Sequence, residues 1–247
     1  MPTPLNASIL KGFEILGLLS PDIREINAAM VATRLQMNSS TAHRFLLSLE
    51  AAGALRSTRR GYFALGSGLA TLARLAEESN PIVKRVEQEI ATLSRELNES
   101  IMACTLTNEG LCCVAVSTCD RPISVNIKIG TVLPVLTSAQ GKLWLAELSG
   151  PERKTRMHYF NELQQPKVKS NRLRELTMEI ETASQCGYAT NLGDNEPDIA
   201  AVSVPIHNTT GRMVLSLSVF GMLSRFDAKM IERARTQLQK ISARVAV

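Results

Sequence analysis

Over the first eighty positions, apolar residues recur at helical spacing. Ile9, Phe13, Leu16 and Leu19 share one face of a helix that Ser20-Pro21-Asp22 should end. Ala28, Val31, Ala32 and Leu35 mark a short second helix, and Gln36-Met37-Asn38-Ser39 a tight connection with one apolar residue to plug it. A third helix, capped by Asn38 or Ser39, turns Ala42, Phe45, Leu46 and Leu49 inward, and Gly53 follows where a left-handed residue belongs. Leu55 to Leu65 reads as two strands around Arg59-Arg60-Gly61. Leu69, Leu72, Ala73 and Ala76 form a further helical stripe. The polar run Glu77-Glu78-Ser79-Asn80, closed by Pro81, marks a domain boundary.

Past that boundary the periodicity changes type along the chain. Ile82 to Leu97 is an amphipathic helix, followed by strand-like runs at Ile101–Leu106, Leu111–Val116 and Ser124–Ile129. Helical stretches at Gly141–Leu148 and about Ser170–Ala183 come next. Two strands, Ile199–Ile206 and Arg212–Val219, flank the hairpin signal Asn208-Thr209-Thr210-Gly211, and a last helix holds Met230, Ile231, Ala234, Leu238, Ile241 and Val245. Strands joined by short turns, with helices before and after, predict an α+β domain with an antiparallel sheet.

Two short helices, a turn, a third helix and a basic hairpin have the layout of a winged helix-turn-helix. With its apolar residues inward, the third helix presents Ser39, Ser40, Thr41, His43 and Arg44 outward near its start. Four of these can hydrogen-bond base edges or phosphates, and Arg44 can fork onto guanine. Arg59 and Arg60 at the hairpin tip suit neighbouring phosphates or the minor groove. The net charge of +5 is mild, but Arg44, Arg56, Arg59 and Arg60 face only Glu50 between Asn38 and Phe63. On spacing alone a second reading stays open. The hydroxyls would then merely cap, and the winged helix would meet protein instead of DNA.

Composition narrows the rest. At 45% hydrophobic and 21% charged residues the chain is ordinary for a globular protein. No apolar run reaches bilayer length, and the N-terminal stretch lacks a basic region and cleavage site, so no membrane segment or signal peptide is expected. Five cysteines (Cys104, Cys112, Cys113, Cys119, Cys186) without a CxxC pair suit buried free thiols in a reducing cytoplasm. His43, His158 and His207 have no metal-ligand spacing. Gly141-Lys142 is no phosphate loop, because Leu143 stands where Ser or Thr is needed. The acids at Glu96–Glu99 and Asp194–Glu196 read as solvated. No enzyme, cofactor or metal is expected.

Ser8–Leu19, Ala32, Leu35, the run Ser39-Ser40-Thr41-Ala42-His43-Arg44-Phe45-Leu46, Leu49, Gly53 and Tyr62-Phe63-Ala64-Leu65-Gly66 resemble the IclR family of bacterial transcriptional regulators. The likeness continues through Leu133-Pro134, Thr137-Ser138-Ala139-Gln140-Gly141-Lys142, Leu145-Ala146, Gly187-Tyr188-Ala189 and Pro205. The resemblance implies a winged helix-turn-helix over 1–66, a linker helix over 67–80, and a GAF/PAS-like effector-binding domain over 81–247. It also implies dimers or tetramers on double-stranded DNA operators of partial two-fold symmetry, and a small-molecule effector. Carried over by position, the effector pocket holds Ala139, Gln140, Asn191, Ala201, Ser218 and Phe220. Gln140 stands where the family often has a small residue, Asn191 replaces an acid, Ala201 a Cys and Phe220 a Ser. The effector is therefore expected to be an aromatic or longer carboxylate, not a glyoxylate-like acid. The N-terminus of the helix beginning near Gly141 suits its carboxylate. Trp144 is expected to pack near the pocket without touching the ligand.

Overall fold

Asparagines start the first helices. Asn6 caps α1 (Ala7–Leu16), Asn27 caps α2 (Ala28–Arg34) and Asn38 caps α3 (Ser39–Ala51), each accepting a main-chain N–H on its side chain. The structure is a computed structural model describing residues 5–20, 22–78 and 81–246. Pro21, Ser79 and Asn80, on which the expected helix stop and boundary run rest, lie outside them. The chain divides into two units, Met1–Ser79 and Asn80–Val247.

In the first unit Gln36 takes φ 51° and Met37 drops onto the core, closing the α2–α3 turn. β2 (Leu55–Arg59) and β3 (Tyr62–Leu65) form the hairpin, with Gly61 at φ 78° in its tip. A strand absent from the sequence reading, β1 (Ile26–Asn27), pairs with β3 to give the order β1-β3-β2. Two residues are too few to show alternation. α4 (Ser67–Glu78) ends this unit. Its core is Ile15, Ile26, Val31, Ala42, Leu46, Leu55 and Phe63.

The expected inner face of α1 is corrected. Ile9 and Phe13 are 59% and 68% exposed, whereas Gly12 and Ile15 are buried. The helix is apolar on two sides, and the side with glycine packs closest: a Cβ on Gly12 would sit 3.7 Å from Leu49.

The second unit begins with α5 (Pro81–Leu97). Strands β4 (Ser100–Leu106), β5 (Leu111–Ser117) and β6 (Val132–Leu133) follow, then α6 (Ala139–Ala146), α7 (Gly150–Leu163) and α8 (Ser170–Cys186). β7 (Ala189–Leu192), β8 (Ile199–His207), β9 (Met213–Met222), a short 3-10 turn at Leu223–Arg225 and α9 (Ala228–Val245) complete it. All pairings are antiparallel, in the order β6-β5-β4-β9-β8-β7. Alternation along β4 serves two cores: Ile101 and Ala103 join Val86, Ile90, Leu238 and Ile241 of α5 and α9. Met102 and Cys104 join Leu143, Phe160, Leu176 and Ile180 of α6, α7 and α8 on the other face.

Three differences from the sequence reading stand out. Ser124–Ile129 forms no strand, although Val125 and Ile127 do alternate inward. β6 and the backbone of Gly130 and Thr131 already occupy the outer edge of β5. α7 was missed because it buries only Met157 and Phe160; its readable signal is the capping box Ser149–Glu152 with Pro151 in the first turn. β7 was also missed, being a four-residue edge strand. In addition, α6 starts two residues before Gly141, because Ser138 caps it by accepting the Gly141 N–H at 3.2 Å.

Candidate nucleic-acid interface and effector pocket

With Asn38 as the cap, its Oδ1 accepts the Thr41 N–H at 2.7 Å, and the hydroxyls that follow are relieved of that duty. Ser39, Ser40, His43 and Arg44 are exposed and Thr41 half-buried, while Ala42 and Leu46 anchor the opposite side. The five expected reading residues thus share one outward surface at the start of α3.

The wing differs from a simple pair of free cations. The Arg59 guanidinium lies 3.8 Å over the Tyr62 ring and 3.3 Å from the Glu25 carboxylate. Arg60, at the tip beside Gly61, is exposed. Arg56, counted in the local basic run but not among the expected DNA contacts, is on the exposed side of β2.

In the second unit a cavity of about 160 Å³ lies between the start of α6 and the sheet. Ala139, Gln140, Asn191, Ala201, Ser218 and Phe220 all line it, so the structure brings the six positions together. Met102, Val125, Ile127, Leu133, Ile199 and Ser203 add to the wall. Ser203 faces Ser218 because the β8–β9 register shifts between Ile206 and His207; counting back from the 208–211 loop alone would set it opposite Ser216, so the sequence carried no clear signal for it. Their hydroxyls are hydrogen-bonded to each other and fully buried.

The polar residues around the cavity divide sharply. Asn191 is committed: Nδ2 donates to the Thr137 carbonyl at 3.1 Å and Oδ1 accepts the Asp194 N–H at 2.8 Å. Thr137 donates its hydroxyl to Asn195 at 3.0 Å, stitching the rim. Gln140 is 1% exposed, and neither end of its amide has a partner. Trp144 points elsewhere, its indole N–H donating to Ser216 at 3.3 Å.

Gly141 and Lys142 hold this site together. A Cβ on Gly141 would fall 2.6 Å from the Val135 carbonyl carbon and nearer still to its oxygen, so only glycine lets α6 lie this close. Lys142 is 5% exposed; its ammonium donates to the Thr190 carbonyl at 2.7 Å and pairs with Glu179 at 2.7 Å and Asp194 at 3.0 Å. Arg172 also pairs with Glu179 (2.7 Å) and Asp194 (3.1 Å). For Glu179, burial raises the pKa, but the hydrogen bonds and charges of Arg172 and Lys142 outweigh it and hold the carboxyl below its ordinary value.

Asp194 is therefore an ion-paired residue, not simply a solvated one. Glu99 corrects the expectation further: its side chain is 2% exposed and pairs with Arg225 (Oε2 to Nη2 2.9 Å) and with Arg121 at 3.3 Å. The cysteines divide as well. Cys104 and Cys113 are buried, Cys112 and Cys119 half-buried, and Cys186 exposed at the end of α8, so the all-buried expectation fails there. A hydrogen bond between the first two raises the Cys104 thiol and lowers that of Cys113. Among the described residues no group of three or more His, Cys, Asp or Glu side chains has metal-binding geometry. No helix among the described residues is long and apolar enough to cross a membrane.

Two family models match the chain: the bacterial transcriptional regulator IclR C-terminal domain over residues 75–247 and the IclR helix-turn-helix domain over residues 8–59. The chain belongs to the IclR family. Among its IclR-type relatives, the transcriptional regulator XynR of Escherichia coli is 25% identical, covering 96% of this chain and 94% of its own. KdgR of the same organism is 23% identical over 97% and 92%. An IclR regulator from Alicyclobacillus acidocaldarius has the same fold, with a TM-score of 0.81 at 21% identity and 98% coverage of both chains. So does an IclR homolog from Microbacterium hydrocarbonoxydans in complex with 4-hydroxybenzoate, at TM-score 0.78 and 20% identity, covering 97% and 99%. The protein is thus an IclR-type transcriptional regulator with a helix-turn-helix DNA-binding domain.

Proposed function

We propose that this regulator is switched by a small organic acid. Ser39, Ser40, Thr41, His43 and Arg44 of α3 read a double-stranded operator of partial two-fold symmetry, with Arg59 and Arg60 on the flanking backbone. The cavity around Ala139, Gln140, Asn191, Ala201, Ser218 and Phe220 takes the effector, which alters DNA affinity. The winged helix-turn-helix spans 1–66, a linker helix 67–80 and the effector domain 81–247. The protein works in the cytoplasm without catalytic groups, cofactor or metal. Self-association into dimers or tetramers is favoured by the apolar side chains left exposed on α1 (Ile9, Phe13) and α4 (Leu72, Leu75).

The observation that carries the effector reading is the cavity. Its volume of about 160 Å³ is near that of engineered cavities of about 150 Å³ that hold benzene. Its walls are mostly apolar, and the open N–H groups of Ala139 and Gln140 at the head of α6 suit a carboxylate. This favours a single-ring acid over a glyoxylate-like one, in keeping with the relative that carries 4-hydroxybenzoate. Coupling between ligand and DNA is expected at about 1–3 kcal/mol.

The test is fluorescence anisotropy with labelled DNA from upstream of the protein's own gene, against a scrambled duplex, at several salt concentrations and with or without aromatic acids. Salt-dependent preference for the native duplex, changed severalfold by an acid, is expected. Weak, salt-insensitive binding to both duplexes would overturn the DNA reading. Unchanged DNA affinity and thermal stability with every acid would overturn the effector reading.

A further inference from the structure

Buried polar side chains are nearly always hydrogen-bonded, so an amide with both ends unmet calls for a partner. Gln140 is such an amide, and it lines the cavity. Exchanging its oxygen and nitrogen leaves the same inventory of two N–H donors and one acceptor. Gln140 bears on the neighbouring Cys104 sulfur and favours its thiolate, but a sulfur is a weak acceptor and Cys104 is hydrogen-bonded to Cys113, so Oε1 stays unmet.

Apart from the Glu196 carboxylate and the Asn195 amide, which also line it, the other polar groups around the cavity are mainly donors. Ser138 takes the Gly141 N–H, which leaves those of Ala139 and Gln140 open at the head of α6. In the Ser203–Ser218 pair one hydroxyl donates to the other, so one O–H remains to give. Both Asn191 ends are spent on Thr137 and Asp194. No Lys, Arg or His lines the cavity. A carboxylate can satisfy the donors, but it has nothing to offer Gln140 Oε1. A ligand that fills the cavity must therefore bring a donor for that oxygen, or leave it buried and unpaired.

We propose that Gln140 is a specificity-determining residue that selects single-ring acids carrying a hydroxyl donor besides the carboxylate. Nε2 and the neighbouring N–H and O–H groups take carboxylate oxygens, and Oε1 accepts the ligand hydroxyl. The proposal rests on the reading of this cavity as the effector site, and deepens it.

The test is calorimetric titration of the full-length protein with benzoate, the three hydroxybenzoates and their methoxy counterparts, which keep the oxygen but lose the donor. Wild type is compared with Gln140→Leu, Gln140→Met and Ala201→Phe, the last of which fills the cavity. At least one hydroxybenzoate should bind about tenfold or more tightly than benzoate and its methoxy twin. In either Gln140 variant that gap should close to about threefold or less while benzoate still binds; the two variants guard against one misfolding. If benzoate equals every hydroxybenzoate, or the gap survives at Gln140, while Ala201→Phe abolishes binding, the selectivity role is overturned and the effector site stands. If no acid binds, or Ala201→Phe leaves binding intact, the cavity reading falls and this proposal falls with it.

Discussion

Replacing Gly141 by alanine tests whether the structure requires the close approach of α6 to Val135 beside the cavity. The added Cβ would lie 2.6 Å from the Val135 carbonyl carbon and 2.9 Å from its Cα. Carbon atoms pack at about 3.5–4.0 Å and the carbonyl oxygen lies nearer still, so helix and chain must part by more than about an ångström. Overpacking against side chains costs about 1–3 kcal/mol, and here the obstacle is backbone with no rotamer to change, so about 3–4 kcal/mol is expected. For a domain of this size each kcal/mol lowers Tm by about 2–4 °C, giving a drop of about 6–16 °C. Gly150→Ala is the control, because nothing lies within 4 Å of a Cβ there. Its Tm should hold or rise slightly. Scanning calorimetry of both variants decides the matter. A Gly141→Ala transition within about 2 °C of the control would mean that α6 has room to spare and that the glycine has another reason.

Other expectations follow from the ion pairs. Arg60→Ala should reduce the magnitude of the log K against log salt slope by about 0.9 per DNA-binding head, whereas Arg59→Ala, already balanced by Glu25, should change it less; equal slopes in anisotropy titrations would contradict this. Glu99→Gln leaves Arg225, 23% exposed, without its anionic partner and should cost about 2–3 kcal/mol in urea unfolding, after allowance for its partial exposure. A loss below about 0.5 kcal/mol would refute it. The lowered Glu179 carboxyl adds stability that is full above its unfolded value of about 4.3 and fades as pH falls through its lower folded value. Glu179→Gln should therefore have a flatter Tm profile below about pH 4.3 than wild type; parallel profiles would show that the pairing adds nothing.

The parts of the fold legible in the sequence were those with a strong period or a defined turn. The α2–α3 unit, the hairpin at Gly61 and the 208–211 hairpin each combine alternation or helical spacing with a residue that a turn requires. α7 was hidden because only Met157 and Phe160 of its fourteen residues are buried. Ser124–Ile129 misled because Val125 and Ile127 alternate toward the cavity, not within a ladder. The six pocket positions could be named from the resemblance, but not the division among them. That Asn191 is spent on its own rim while Gln140 is unpartnered depends on distances across more than fifty residues of chain. Glu99 was misread for the same reason, since Arg225 approaches from the far end of the domain.

The sheet of the second unit works as a plate shared between two rooms. Met102 faces the cavity, while Ile101 and Ala103, its immediate neighbours on β4, support α5 and α9. No spacer separates the cavity's floor from the bed of the helix by which the chain enters this unit, because one strand is both. Interiors packed as densely as crystals deform little. A shift of β4 made by filling the cavity would therefore be delivered to α5 nearly whole, and an effector could act at a distance without any hinge in between.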